Sequence, residues 1–135
     1  MIDERSFDRI ASYIDYGKKN PNVKLVFGGK CDKSKGYYIQ PTLFETTDPN
    51  DKLMKEEIFG PILTVYVYKA NEYEKIVNLV DTTTPFALTG SIFCNDEKIL
   101  ETTKLKLRNA CGNLYINDKS TGAGKRNLIL PKNLI

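Results

Sequence analysis

Near the N-terminus Phe7, Ile10, Ala11 and Ile14 recur at helical spacing, and Asp3, Arg5, Asp8, Arg9 and Asp15 fill the other faces. Gly17 to Pro21 reads as the stop of that helix. Leu25-Val26-Phe27 is a short apolar run closed by Gly28-Gly29, and Tyr37-Tyr38-Ile39 reads as a strand that Pro41 interrupts. Leu43-Phe44 follows, then the turn Asp48-Pro49-Asn50-Asp51. Ile62 to Tyr68 is the clearest strand. Asn71 is placed to cap a helix carrying Tyr73, Ile76, Val77 and Val80 on one face. Leu88 to Phe93 reads as a strand, and Asn95 or Asp96 opens a helix with Ile99, Leu100 and Leu107 inward. Asn113 to Asn117 is the last strand.

From Ile62 onward strands alternate with helical stretches. That order predicts an α/β fold, with a parallel sheet and flanking helices. There are no internal repeats. The pattern changes after Gly122: residues 124–135 mix Leu and Ile with Lys, Arg and Asn at neither period, and read as a divergent basic and apolar tail.

Composition narrows the chemistry. The chain has 135 residues, 41% hydrophobic and 27% charged, ordinary for one globular domain. No apolar run approaches the roughly 20 residues of a membrane span. The start, Met1-Ile2-Asp3-Glu4-Arg5, reads as neither a signal nor a transit peptide. The net charge of +3 equals the charge of the tail, from Lys125, Arg126 and Lys132, so no clustered basic face points to nucleic acid. Histidine is absent, which removes His triads, His bases and His ligands together. Cys31, Cys94 and Cys111 are dispersed, without the paired spacing of a zinc site, and suit a reducing compartment. Cys94, at a strand end, reads as a small buried hydrophobe, and Cys31 and Cys111 as bystanders.

The segment Lys55-Glu56-Glu57-Ile58-Phe59-Gly60-Pro61 joins a charged run to an aromatic and a Gly-Pro turn just before the clearest strand. It resembles a signature of NAD-dependent aldehyde dehydrogenases. Gly28-Gly29-Lys30, the run 36–43, Leu88-Thr89-Gly90-Ser91-Ile92-Phe93 and Gly112-Asn113-Leu114-Tyr115-Ile116-Asn117 follow in the family's order. Within the family, Val65 to Tyr68, Leu79-Val80-Asp81-Thr82-Thr83 and Asn117-Asp118-Lys119-Ser120-Thr121-Gly122 are similar to the 1-pyrroline-5-carboxylate dehydrogenase branch. That branch oxidises glutamate γ-semialdehyde to glutamate with NAD in proline breakdown. The resemblance implies that residues 1–123 are the C-terminal part of a catalytic domain.

By that resemblance Glu57 holds the nicotinamide ribose and Phe59 walls the ring. A carboxylate accepts hydrogen bonds only, which suits a pair of ribose hydroxyls. Gly122 and Ala123 begin the loop that grips the substrate's carboxylate, where backbone N–H groups beside a glycine converge on an anion. The loop's continuation diverges at Gly124-Lys125-Arg126. The family's nucleophilic Cys follows a Gly-Gln pair, and no cysteine here has those neighbours. Its general-base Glu and dinucleotide-binding domain precede the region matched. The chain therefore reads as truncated, with no catalytic residue of its own and no turnover alone. The alternative is a non-catalytic binding or oligomerisation module, a homo-oligomer paired through the edge of Leu114, Tyr115, Ile116 and Asn117. The resemblance implies the mitochondrial matrix; with no import sequence in view, the cytoplasm is the alternative.

Overall fold

The computed structural model describes residues 1–120. Gly122, Ala123 and the tail 124–135 lie outside the described residues. The chain divides into two compact units, Met1–Tyr68 and Lys69–Ile135.

The first unit opens with helix α1 (Glu4–Lys19). Asp3 caps it by accepting from the Ser6 N–H at 2.7 Å, Glu4 lies at the positive end, and Lys18 and Lys19 lie at the negative end. The helix runs through Gly17, which the sequence reads as a breaker, and ends at Asn20. A Cβ on Gly17 would lie 2.7 Å from the Phe44 ring, so glycine is here for close approach. Strands β1 (Val23–Phe27), β4 (Thr42–Thr46) and β5 (Ile62–Tyr66) form a sheet in the order β1-β4-β5. β4 and β5 run parallel, pairing Phe44 with Thr64, while β1 runs antiparallel to β4 with a bulge between Leu25 and Phe27. The short strands β2 (Cys31–Asp32) and β3 (Tyr38–Ile39) pair antiparallel beside it. Gly28, at φ +81°, turns the chain out of β1 where a Cβ would strike the Pro41 carbonyl. Ile10, Ile14 and Phe44, all fully buried, form the core with Leu53 and Ile58.

In the second unit a 3₁₀ turn (Ala70–Glu72) leads into α3 (Tyr73–Thr82). Asn71 lies inside that turn and not at the cap; the turn starts from Lys69, whose N–H is accepted by the Glu72 carboxylate. Strands β6 (Thr89–Ile92) and β7 (Asn113–Ile116) pair in parallel, with α4 (Glu97–Lys106) between them in the chain. This is the β-α-β order read from the sequence. Asp96 caps α4 by accepting from the Lys98 and Ile99 N–H groups. The inward face of α4 is Leu100, Thr103 and Leu107; Ile99, read as inward, is exposed. Likewise Val77 of α3 is buried and Val80 is not. Tyr73 and Thr103 meet at 2.5 Å between hydroxyl oxygens, joining α3 to α4.

Candidate functional site

The segment 55–61 follows α2 (Lys52–Lys55), a single helical turn. So short a helix has no stability of its own. Its start is the buried Asp51, whose carboxylate accepts from the Leu53 N–H at 2.7 Å, from Asn20 Nδ2 at 2.6 Å and from the Tyr16 hydroxyl at 3.1 Å. Its end is Glu56, whose carboxylate accepts from the Tyr13 hydroxyl. Lys52 lies over both tyrosine rings, 4.5 Å from the Tyr13 centroid and 5.6 Å from that of Tyr16. The bond to Glu56 is the chief cause pushing the Tyr13 phenol above the usual tyrosine range; for Tyr16, desolvation comes first and the Asp51 bond second.

Glu56 itself is extended, which sets the Glu56 and Glu57 side chains in different directions. Glu57 is exposed, Ile58 is buried in the core, and Phe59 is exposed again at 79%. Among the described residues Glu57 has neither a hydrogen bond nor an ion pair. Phe59 sits at φ +52°, a left-handed conformation that costs a non-glycine residue roughly 1–2 kcal/mol. Gly60 follows where a Cβ would stand 2.8 Å from the Ile10 side chain. Ile58 and Gly60 thus fasten the segment to α1 while Glu57 and Phe59 project from it. A free carboxylate beside an exposed aromatic suits a polyhydroxylated ring system such as a nucleotide's ribose and base.

Glu57 and Phe59 both stand exposed on the same short segment, on either side of the buried Ile58. Gly122 and Ala123, the expected substrate anchors, fall outside the described residues. The strand leading toward them is tied down: Asn117, at φ +51°, accepts from the Cys94 N–H at 2.8 Å and donates to the Cys94 carbonyl at 3.0 Å. Ser91 donates to the Asp118 carbonyl at 2.8 Å. Leu114, placed by sequence on a pairing edge, turns its side chain into the core of the second unit with Val77, Ile92, Leu107 and Cys111.

Neither Cys31 nor Cys111 sits where a thiolate would be favoured. Desolvation pushes the Cys31 thiol up despite the nearby Lys18, and burial pushes Cys111 up against the Gly90 N–H. Cys111, and not Cys94, is the buried one; Cys94 packs half-buried at the rim of the same core, its thiol facing the Asp96 carbonyl.

Sequence reasoning missed the tyrosine contacts to Asp51 and Glu56. The available signal was two tyrosines one turn apart, beside the apolar face of Ile10 and Ile14.

Residues 1–128 match the model of the aldehyde dehydrogenase family. Delta-1-pyrroline-5-carboxylate dehydrogenase, mitochondrial, of Danio rerio is 53% identical over 123 residues, covering 91% of this chain and 22% of that protein. The Homo sapiens protein of the same name is 46% identical over 123 residues with the same coverage. The crystal structure of the Delta-pyrroline-5-carboxylate dehydrogenase from Mycobacterium tuberculosis bound with NAD superposes with a TM-score of 0.82 at 39% identity, over 91% of this chain and 22% of that one. The chain thus spans about a fifth (22%) of the length of the curated relatives it matches.

Proposed function

The chain belongs to the aldehyde dehydrogenase family, and on that premise we propose that its segment 55–61 holds the nicotinamide ribose in an NAD-dependent oxidation of glutamate γ-semialdehyde. One observation carries the reading. Two projecting side chains, a partnerless carboxylate at Glu57 and the left-handed Phe59, flank a buried Ile58. The left-handed backbone and the exposed ring are both unfavourable within the chain, and a bound ring would offset them. When bound, the dinucleotide accepts the hydride. Glu57 accepts hydrogen bonds from the ribose hydroxyls and so fixes the ring, and Phe59 keeps water from one side of it. Backbone N–H groups at Gly122 and Ala123 hold the substrate's carboxylate. Cys31, Cys94 and Cys111 take no part, so the 135 residues alone do not oxidise the aldehyde.

The test is a titration of the chain with NAD, read by amide NMR. Saturable shifts centred on residues 56–60 are expected, with a Kd of roughly millimolar. Phe59→Gly separates fold from function: it stabilises the chain by about 0.5–1 kcal/mol, by relieving the left-handed strain, yet weakens NAD binding. Unchanged signals at 56–60 in the presence of saturating NAD would refute the reading. So would a Glu57→Gln variant that binds as well as the parent.

The assembly reading has its own support. Among the described residues β7 pairs with β6, and strand edges are surfaces through which a second copy can pair. Light scattering that shows a monomer at every concentration removes it. The relatives' names say mitochondrial, and the mitochondrial matrix is the compartment proposed here; recovery in the cytosolic fraction alone would contradict it.

A further inference from the structure

We infer that Tyr13 and Tyr16 of α1 clamp both ends of α2, and that Tyr13, acting through Glu56, is a positioning residue that aims Glu57 and Phe59 at the cofactor. The inference rests on the cofactor reading above.

Glu56 and Glu57 are the same side chain in adjacent positions, so either could in principle meet a ribose. The fold distinguishes them by giving one of them a partner. Tyr13, half-buried against the core, donates to the Glu56 carboxylate across 43 residues of sequence. Glu56 is extended, at φ −97° and ψ 140°. In extended backbone neighbouring side chains point to opposite sides, so holding Glu56 against α1 turns Glu57 away from it. The next reversal sends Ile58 into the core, and the one after sends Phe59 out.

The clamp has a second point. Tyr16 and Asn20 hold Asp51 at the start of α2, one turn along α1 from Tyr13. With both caps held, and Lys52 over both rings, the single turn of α2 cannot rotate about its own axis without breaking a contact. Rotation of that turn is what would swap the directions of Glu56 and Glu57. The Asp51 end alone would fix where α2 begins and leave the exit free. The Tyr13–Glu56 bond therefore sets the direction of the next three residues.

The experiment compares the full chain with Tyr13→Phe, Glu56→Gln and Glu56→Ala. Each is titrated with NAD, and the ligand-free Phe59 amide and ring signals are recorded first. Tyr13→Phe and Glu56→Ala are expected to raise the apparent Kd for NAD about three- to tenfold, the range for one lost hydrogen bond, and to shift the ligand-free Phe59 signals. Glu56→Gln still accepts from the phenol, so it is expected to keep parental Phe59 signals and affinity. A contact that served only stability would not show that rescue. Tyr13→Phe with parental Phe59 signals overturns the inference, as does equal behaviour of Glu56→Gln and Glu56→Ala. If the parent itself shows no NAD binding, the cofactor reading fails; the ligand-free Phe59 signals still decide the clamp. Should Tyr13→Phe melt at room temperature, the Glu56 pair decides it instead.

Discussion

The two units enclose their cores to different degrees. In Met1–Tyr68, Ile10, Ile14 and Phe44 expose nothing to solvent. Among the described residues of the unit from Lys69 onward the most enclosed apolar residue is Val77, at 4%; both units carry mostly exposed apolar side chains as well, Phe59 and Leu63 in the first and Leu88 and Phe93 in the second. The topologies explain it. A 16-residue helix over a three-stranded sheet has room to seal its centre, whereas two strands flanked by ten-residue helices do not. The polar fastening differs in the same sense. The first unit ties α1 to α2 through Asp51 and Glu56, and the second joins α3 to α4 through the Tyr73–Thr103 contact and the Glu74–Lys106 ion pair at the surface. The segment 55–61 therefore rests on the better-sealed base, as the proposed cofactor contact of Glu57 and Phe59 requires.

Core truncation tests that difference most strongly. Phe44→Ala removes a fully buried ring and leaves a cavity between α1 and β4; a loss of about 3–5 kcal/mol is expected. Val77→Ala removes less from a looser site, with about 1–2 kcal/mol expected. Urea denaturation measures both. Equal losses would mean that the two cores are equally tight and that the contrast is one of surface only. Hydrogen exchange sharpens the result, because Phe44→Ala should remove protection first in β1, β4 and β5.

The caps give a smaller contrast of the same kind. Asp51 and Asp96 both accept N–H bonds at a helix start. Asp51 is 4% exposed and carries Tyr16 and Asn20 as well, whereas Asp96 is exposed. Asp96→Ala should cost about 1 kcal/mol, the ordinary value for a cap. Asp51→Ala also leaves the half-buried Tyr16 hydroxyl without its acceptor and takes one of two from Asn20, whose Nδ2 still donates to that hydroxyl at 3.1 Å; about 2 kcal/mol is expected. Thermal unfolding of the two variants measures the gap. A gap below about 0.5 kcal/mol would show that water replaces Asp51 at little cost.

How much of this was readable in the sequence follows from how local each feature is. The face of Phe7, Ile10 and Ile14 and the Asp96 cap are local signals, and both stand in the structure where the pattern put them. The parallel β6–α4–β7 unit is legible for the same reason: short elements in alternating order allow few topologies. The antiparallel entry of β1 beside β4 was not legible, since strand direction depends on a partner many residues away. Gly17 was misread because glycine is scored as a breaker, and its reason for being there, the Phe44 ring, lies elsewhere in the chain. At the candidate site, family resemblance pointed to Glu57 and Phe59. It said nothing of the left-handed φ at Phe59, which composition favours placing on Gly60 instead. Nor did it single out Tyr13 and Tyr16, whose partners lie 43 and 35 residues away.

The smallest expected effect is one of pH, and it acts on the first unit alone through the clamp. The folded pKa of Tyr13 is raised, chiefly by the bond to Glu56, and that of Tyr16 by desolvation and then the bond to Asp51. The groups around Tyr13 are Glu56, which holds the proton on, and Arg9 and Lys52, which are cationic. A phenol in the unfolded chain loses its proton near pH 10. Above that pH the unfolded state binds fewer protons than the folded one, so stability falls as pH rises. The stabilisation is complete below the unfolded value and is lost as pH climbs through the raised folded values. At neutral pH the tyrosines of the clamp are therefore indifferent to small pH changes, and their own contribution is lost only in alkaline solution. Near-ultraviolet absorbance should show a late-titrating tyrosine fraction that shrinks in Tyr13→Phe. The NMR signals of Ile58 and Phe59 should move over the same pH range as that fraction, because deprotonation sets a phenolate against the Glu56 carboxylate and releases the exit of α2. If those signals move before the late-titrating fraction does, the phenol does not hold the segment, and the contrast between the fastened first unit and the looser second one reduces to their apolar cores.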